Sequence, residues 1–242
     1  MIRLLLVLIL AVSLASAAEP IPIHLWPHGA PGEAGSLGPE KNTTKPSDRP
    51  VAGRPVIRLG DVSDPTITVY RAAKPADSHP GVILFPGGAY NILAMDLEGT
   101  EVCHWLNSQG ITAVLLKYRV PRRKGLPPYE APLQDAQRAV STVRSRAGEW
   151  KIATDRIGVL GFSAGGNLAA LTSTRFTQRA YANVDAVDNV SCRPDFAVLI
   201  YPAYLTKPEG SYAISKKKTS FKSLIKVRDN FNPELQKSVD NL

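Results

Sequence analysis

The sequence predicts an α/β fold in which helices cover both faces of a mostly parallel sheet. Short and wholly apolar runs, such as Val82–Phe85 and Phe196–Tyr201, alternate with segments of helical periodicity. Apolar strands separated by helices favour parallel pairing inside a covered sheet. The predicted strands are residues 56–59, 66–70, 82–85, 112–116, 157–161 and 196–201, and the predicted helices are residues 98–109, 132–147 and 165–174.

The segment 132–147 shows the clearest helical pattern. Its apolar residues recur at three- and four-residue spacing, and Pro132 stands in the first turn, where proline is tolerated. The same spacing leaves Arg138, Arg144 and Arg146 for solvent. This helix is therefore predicted to pack one face against the sheet.

The chain divides into four segments. Residues 1–17 have the pattern of a signal peptide, because Arg3 precedes an apolar run and small residues at Ala15 and Ala17 flank a cleavage site. That run is shorter than the roughly 20 residues that span a bilayer, so we expect a secreted or periplasmic protein without stable membrane insertion. Residues 18–55 are predicted to be an irregular arm outside the core, residues 56–206 the α/β core, and residues 207–242 a basic tail of unclear structure.

The charge distribution and the cysteines bear on two questions, whether the chain binds nucleic acid and whether it holds a disulfide. The net charge is +8, yet residues 211–242 alone carry seven Lys or Arg against three Asp or Glu. Aromatic residues are not interleaved with the basic ones, which argues against a nucleic-acid partner. The two cysteines, Cys103 and Cys192, could form a disulfide in an oxidising compartment, but the interpretation as two buried free thiols is favoured.

Ser163 is the candidate nucleophile. It lies in the stretch RIGVLGFSAGGNLAAL, residues 156–171, where a predicted strand must turn abruptly into a helix. Gly161 and Gly165 lack the Cβ atoms that would collide in such a tight turn, and the serine is held at its tip. The alternative interpretation is a glycine-rich turn in which Ser163 only caps the helix.

A second motif supplies candidate hydrogen-bond donors. The sequence Pro86-Gly87-Gly88-Ala89-Tyr90 follows the predicted strand 82–85, and small residues leaving a strand expose backbone N–H groups. Such groups can hold an oxyanion, as can the amide of Ala164 at the start of the following helix. The alternative is an ordinary Pro-Gly turn.

At these residues the chain resembles the α/β-hydrolases, and most closely their secreted esterase/lipase branch of acetyl-xylan- and feruloyl-esterase-like carboxylesterases. The resemblance covers residues 82–202 through LFPGGAYNILA, EGTEVCHWLNSQGITAVLLKYRVP, PLQDAQRAVSTVRSRAGEW, DRIGVLGFSAGGNLAAL and DFAVLIYP. It implies a catalytic Ser163, with the oxyanion held by the amides of Gly88, Ala89 and Ala164. Pro86 stands where many relatives carry histidine, which leaves the amides of Gly88 and Ala89 available.

The remaining members of a catalytic triad are not identifiable. In this fold an acid and then a histidine follow the serine, whereas His24, His28, His79 and His104 all precede Ser163. Asp195 lies at the amino end of a predicted strand, the wrong edge of a parallel sheet for catalysis, and the other downstream acids cannot be placed: Asp185, Asp188, Glu209, Asp229, Glu234 and Asp240. We therefore expect the last strands of the fold to be missing or replaced, as in a truncated or frame-shifted hydrolase, with a deliberately inactive variant as the alternative.

The sequence and the resemblance together predict a serine hydrolase acting on carboxylic esters through an acyl-enzyme on Ser163. The expected substrate is a small ester or an acylated plant polysaccharide, from which acetyl or feruloyl groups would be removed. No cofactor is expected, and no metal site either, because the sequence has no cluster of metal-ligating residues at suitable spacing. The competing hypothesis is a hydrolase-like binding protein without catalysis.

Overall fold

A central six-stranded sheet organises the protein, of which this computed structural model describes residues 21–33 and 37–205. In chain order the strands are β1 (Ile23–His24), β2 (Lys41–Asn42), β3 (Arg58–Gly60), β4 (Thr66–Tyr70), β5 (His79–Phe85), β6 (Leu93–Ala94), β7 (Thr112–Lys117), β8 (Ile152–Phe162) and β9 (Phe196–Ile200). The central sheet has the order β1-β4-β7-β5-β8-β9. The pairs β7/β5, β5/β8 and β8/β9 are parallel, while β1/β4 and β4/β7 are antiparallel. The predicted mostly parallel sheet is therefore confirmed.

Three helices cover the two faces of this sheet. They are α1 (Glu101–Ser108), α2 (Glu130–Ser145) and α3 (Ala164–Thr174). Successive residues of a strand point to opposite faces, so Ile83 and Phe85 of β5 join the core beneath α2 and α3, whereas Val82 and Leu84 face α1. Helices on both faces explain why the central strands are apolar at nearly every position.

The predicted strand 56–59 does not join the central sheet. Residues Arg58–Gly60 form β3, which pairs with β2 and β6 in a separate antiparallel sheet of three short strands. The amino-terminal half of the predicted helix 98–109 also differs, because Asp96–Thr100 form a π-helical turn that leads into α1. This turn places Glu98 beside the loop that follows β5.

The described part of the arm, residues 21–33 and 37–55, contributes to the core, contrary to the expectation that the arm lies outside it. Leu25 and Trp26 are buried in the main apolar cluster. The Trp26 indole Nε1 donates to Asp135 of α2 over 2.9 Å, and Asp135 in turn pairs with the fully buried Arg119. The sequence does not predict the burial of Leu25 and Trp26, because they stand in a proline- and glycine-rich stretch without a periodic apolar pattern.

Helix α2 is more deeply buried than its amphipathic pattern predicts. Arg138, expected in solvent, is buried and forms ion pairs with Asp185 and Asp188. Asp185 caps the 3₁₀ turn Ala186–Asn189, which contains Asp188 and packs against α2. Long-range ion pairs of this kind leave no signature in local sequence.

The strand β9 borders the central sheet in the described part of the chain. Phe196, Val198 and Leu199 on this strand are partly exposed. Within the same residues, no helix is both long and apolar enough to cross a membrane. The predicted signal peptide, residues 1–17, and the predicted basic tail, residues 207–242, lie outside the described residues.

Candidate active site

Ser163 occupies the turn between β8 and α3. Its backbone dihedrals are φ 52° and ψ −114°, a conformation that non-glycine residues rarely adopt. The serine stands at the N-cap position of α3, but its side chain makes no capping hydrogen bond. The strained backbone is therefore not explained by helix capping, and strain of this kind is concentrated at functional sites.

The two glycines flanking Ser163 permit an unusually close approach of backbones. A Cβ atom on Gly161 would lie 2.0 Å from the carbonyl oxygen of Gly165. A Cβ atom on Gly165 would lie 2.1 Å from the carbonyl oxygen of Phe85, the last residue of β5. The start of α3 thus packs directly on the end of β5, which brings the Ser163 turn next to the loop that begins at Pro86.

The loop Pro86–Tyr90 lies against the nucleophile turn. A Cβ atom on Gly87 would be 3.0 Å from Ser163 Cβ. Gly88, Ala89 and Tyr90 all have positive φ angles, and a Cβ on Gly88 would lie 1.9 Å from the Ile92 carbonyl oxygen. The amides of Gly88 and Ala89 donate no hydrogen bond within the described residues. These amides have the chemistry that an oxyanion site requires.

Ala164 is the first residue of α3, immediately after Ser163. Its N–H belongs to the first turn of the helix, where amides have no intrahelical acceptor. The structure thus brings together Ser163, the 87–89 turn and Ala164.

Glu98 is a member of the site that the sequence did not single out. Its Oε2 accepts a hydrogen bond from the Gly87 amide at 2.7 Å, and its Oε1 accepts one from the Tyr201 hydroxyl at 2.6 Å. Tyr201 follows β9 directly, at the same edge of the sheet as Ser163. Burial and the adjacent Glu98 carboxylate raise the pKa of Tyr201, so its hydroxyl stays protonated and donates. Only the tertiary fold reveals this contact.

Two further tyrosines support the loop from inside the molecule. The Tyr118 hydroxyl donates to the carbonyl oxygen of Pro86, and the Tyr90 hydroxyl donates to Asn167 Oδ1 at 2.8 Å. Burial and the charge of Glu98 raise the pKa of Tyr118. The two hydrogen bonds hold the loop in place.

The four histidines of the chain all lie within the described residues, and each has a place away from Ser163. His79 begins β5, at the edge of the sheet opposite Ser163, and its Nδ1 lies 3.0 Å from the Gly110 carbonyl oxygen. His104 packs edge-on against Tyr70. His24 pairs with Asp64, and His28 is exposed in the arm.

The described acids that follow Ser163 serve the scaffold. Asp195, directly before the amino end of β9, accepts from the amide of Ile157 at 2.8 Å, while Asp185 and Asp188 pair with Arg138. The remaining candidates lie outside the described residues: Glu209, Asp229, Glu234 and Asp240. In residues 21–33 and 37–205, no group of three or more His, Cys, Asp or Glu side chains could hold a metal ion.

Comparison with known proteins identifies the family. The sequence profile of the family described as BD-FAE matches residues 67–225. The chain belongs to the BD-FAE family. The matched residues include both the 86–90 loop and the Ser163 turn, so both halves of the candidate site lie within the part of the chain that the family profile matches.

The proteins similar to this BD-FAE chain include named esterases. An acetylxylan esterase of Xylanibacter ruminicola is 32% identical over 121 residues, which cover 50% of this chain and 22% of that protein. Among solved structures, an acetyl ester-xyloside bifunctional hydrolase from Caldicellulosiruptor lactoaceticus has a TM-score of 0.54 and 36% identity, over 78% of this chain and 59% of the other. A butyrate-bound esterase of Thermogutta terrifontis has a TM-score of 0.51 and 25% identity, over 69% of this chain and 58% of the other. These neighbours confirm an α/β-hydrolase type of fold.

This chain spans only part of the relatives it matches. The share covered is 22% of the acetylxylan esterase and 19% of an endo-1,4-beta-xylanase B of Butyrivibrio fibrisolvens. These relatives are therefore much longer than the part that this chain matches, and their names describe the activities of the whole proteins.

Proposed function

We propose that this chain is a serine carboxylesterase that forms an acyl-enzyme on Ser163. The observation that carries the proposal is the strained Ser163, which caps no amide and lies beside a turn whose Gly88 and Ala89 amides are without partners in the described residues. A nucleophile facing preorganised amides is the arrangement that acyl transfer requires.

In the proposed reaction, Ser163 Oγ attacks the ester carbonyl carbon and its proton passes to the departing alcohol. The amides of Gly88, Ala89 and Ala164 donate to the negative oxygen of the tetrahedral intermediate. The carbon–oxygen bond to the alcohol then breaks and leaves an acyl-Ser163. Water adds to that acyl group, and breakdown of the second intermediate releases the carboxylic acid and restores the serine.

The substrate we propose is an acetylated or feruloylated plant polysaccharide, or a small ester of the same acyl groups. The support comes from two similar proteins, an acetylxylan esterase and an acetyl ester-xyloside bifunctional hydrolase. A butyrate-bound relative indicates that short acyl groups suit this kind of site. Export through the predicted signal of residues 1–17 is part of the same proposal, since such polysaccharides lie outside the cell.

A second candidate function is binding without turnover. It is favoured by the contacts of the histidines, because His24, His79 and His104 bond or pack against residues other than Ser163 and His28 is exposed in the arm. A hydrolase that lacks triad members keeps a residual catalysis of about 10³ to 10⁴ over water. Under the esterase proposal, slow turnover is therefore the expected behaviour.

The deciding experiment is pre-steady-state hydrolysis of p-nitrophenyl acetate. We expect a burst approaching one acetyl group per chain, followed by slow release, with mass spectrometry locating the acetyl group on Ser163. The burst should vanish in Ser163→Ala and persist in Ser173→Ala, a matched change in α3 of a serine whose hydroxyl donates to the Ala169 carbonyl oxygen. Equal and negligible rates for the wild type and Ser163→Ala would overturn the esterase proposal and favour the non-catalytic alternative.

A further inference from the structure

We propose that Glu98 is a positioning residue that sets the geometry of the oxyanion turn through Gly87 and fastens that turn to Tyr201. The inference rests on the proposed function and adds to it a residue that neither contacts the substrate nor exchanges a proton. Its evidence lies in how the two oxygens of a single carboxylate are used.

Each oxygen of Glu98 accepts from a different element of the site. The Oε2 atom accepts from the Gly87 amide at 2.7 Å, within the loop after β5, and the Oε1 atom accepts from the Tyr201 hydroxyl at 2.6 Å, just after β9. Hydrogen bonds to an ionised carboxylate are shorter and stronger than those between neutral groups. One side chain thus joins two segments that are 114 residues apart in sequence, the difference between positions 87 and 201.

The bond to Gly87 determines which amides remain for the substrate. Because the Gly87 N–H is directed at Glu98, it cannot serve the oxyanion, and the next two amides in the loop take that role. Ala89 and Tyr90 have φ angles of 55° and 58°, which cost free energy in residues with a side chain. A fixed acceptor at the start of the turn holds this unfavourable conformation in place.

The bond to Tyr201 extends the same restraint to the nucleophile. The amide of Ser163 donates to the carbonyl oxygen of Ile200 at 3.0 Å, so the residue before Tyr201 is bonded directly to the nucleophile turn. Glu98 therefore reaches the Ser163 turn from two sides, through Gly87 and through the end of β9. Tyr201 itself is 61% exposed, so burial alone does not fix its ring.

The segment that carries Glu98 is itself restrained. Glu98 lies in the π-helical turn Asp96–Thr100, and Asp96 Oδ1 accepts from the Ile57 amide at 2.9 Å. The Thr100 amide donates to the Met95 carbonyl oxygen at 2.9 Å. Because its backbone is held in this way, the Glu98 carboxylate can fix the positions of Gly87 and Tyr201.

The test compares Glu98→Ala, Glu98→Gln and Tyr201→Phe in the full chain. Glu101→Gln and Tyr181→Phe are matched controls, because Glu101 makes an ion pair with Arg54 and the Tyr181 hydroxyl donates to Asp188, both outside the site. The first readout is the acylation rate constant and KM with p-nitrophenyl acetate. The second is amide hydrogen exchange of residues 86–90 and 200–204, measured by mass spectrometry.

We expect Glu98→Ala to lower the acylation rate constant about 100-fold, as a displacement of about 1 Å does, with KM nearly unchanged. Glu98→Gln should recover most of that loss, because its amide oxygen still accepts from Gly87. Tyr201→Phe should cost no more than about tenfold. Exchange of residues 86–90 should rise in Glu98→Ala but stay at the wild-type level in Glu98→Gln and in both controls.

The outcomes separate the inference from the function beneath it. If the wild type acetylates Ser163 and Glu98→Ala does so at the same rate, the positioning role is refuted and the esterase stands. If Glu98→Ala and Glu98→Gln lose activity equally, the carboxylate acts by its charge, and the positioning role is refuted as well. If the wild type shows no Ser163-dependent acetylation, the proposed function fails and the inference falls with it.

Discussion

Gly165, the second residue of α3, lies so close to the main chain of Phe85 that a methyl group on its Cα would stand 2.1 Å from the Phe85 carbonyl oxygen. Real Cβ atoms essentially never come within 3.0 Å of another atom. The contact joins the first turn of the helix behind Ser163 to the strand that leads into the 86–90 loop. The relative position of Ser163 and the oxyanion donors therefore requires that residue 165 be glycine.

Replacement of this glycine should damage both stability and the site. We expect Gly165→Ala to lower the free energy of unfolding by about 3 kcal/mol, because backbone cannot yield as a flexible side chain can. Urea denaturation measures the loss. Gly148→Ala is the matched control, since a Cβ there would meet nothing within 4 Å, and it should be neutral or slightly stabilising. Equal stability of the two variants would contradict the close approach.

The buried pair Arg119–Asp135 should be the most sensitive ion pair of the described scaffold. Asp135 is fully buried and accepts from the Trp26 indole as well as from Arg119. Asp135→Asn leaves the buried guanidinium with only its longer, 3.7 Å contact to the Glu33 carboxylate, which should cost about 3 kcal/mol. Glu149→Gln removes the exposed partner of Arg146 and should cost less than about 1 kcal/mol. Urea unfolding measures both losses: at an unchanged dependence of the unfolding free energy on urea concentration, the midpoint should fall much further for Asp135→Asn than for Glu149→Gln.

Acid should weaken the fold through Asp188. Burial alone would raise the pKa of this carboxyl, but the Tyr181 hydroxyl, the Val184 amide and the Arg138 guanidinium outweigh it and hold the pKa below its usual range. The stabilisation is therefore complete above the unfolded pKa of about 3.9 and is lost as the pH falls through the lower folded value.

The Asp188→Asn variant tests this dependence. It should be less stable than the wild type at neutral pH, and its stability should fall less steeply below about pH 4. Asp155→Asn, at a side chain that is 86% exposed, should keep the wild-type profile. Parallel curves for Asp188→Asn and the wild type would show that Asp188 does not titrate with folding.

The two cysteines should be unreactive in the native protein. Burial raises the pKa of Cys103 to about 12, and burial also raises the pKa of Cys192. Both are unpaired, and they belong to the clusters on opposite faces of the sheet. Since the thiolate is the reactive species, we expect negligible reaction with Ellman's reagent at neutral pH. Two thiols per chain should appear on denaturation without a reductant, and none would appear if a disulfide had linked them.

The sequence predicted the local parts of the site better than its long-range contacts. Gly161, Ser163 and Gly165 are close in the chain, and the strand-turn-helix pattern around them constrains their geometry. Glu98 could not be found in this way, because its partners Gly87 and Tyr201 become neighbours only through the folded sheet. Its own segment was predicted as ordinary helix, and the π-helical turn there has no distinctive composition.

The same limit explains two of the differences between the predicted and the observed scaffold. Helical periodicity divides residues into faces, but it cannot tell that the outer face of α2 is covered by the segment carrying Asp185 and Asp188, which buries Arg138. Trp26 stands in a stretch dominated by proline and glycine, where no periodicity exists to predict its burial. In both places a distant partner, and not the local pattern, determines the environment.

The insertion of Trp26 beside Asp135 sets a limit on how far the chain can be shortened from its amino end. A protease cut or a cloning boundary beyond Trp26 removes the indole that donates to Asp135 and opens the Arg119–Asp135 pair to water. Expression designs that begin at Arg58, the first residue of β3, should therefore lose this buried hydrogen bond and should not yield stably folded protein.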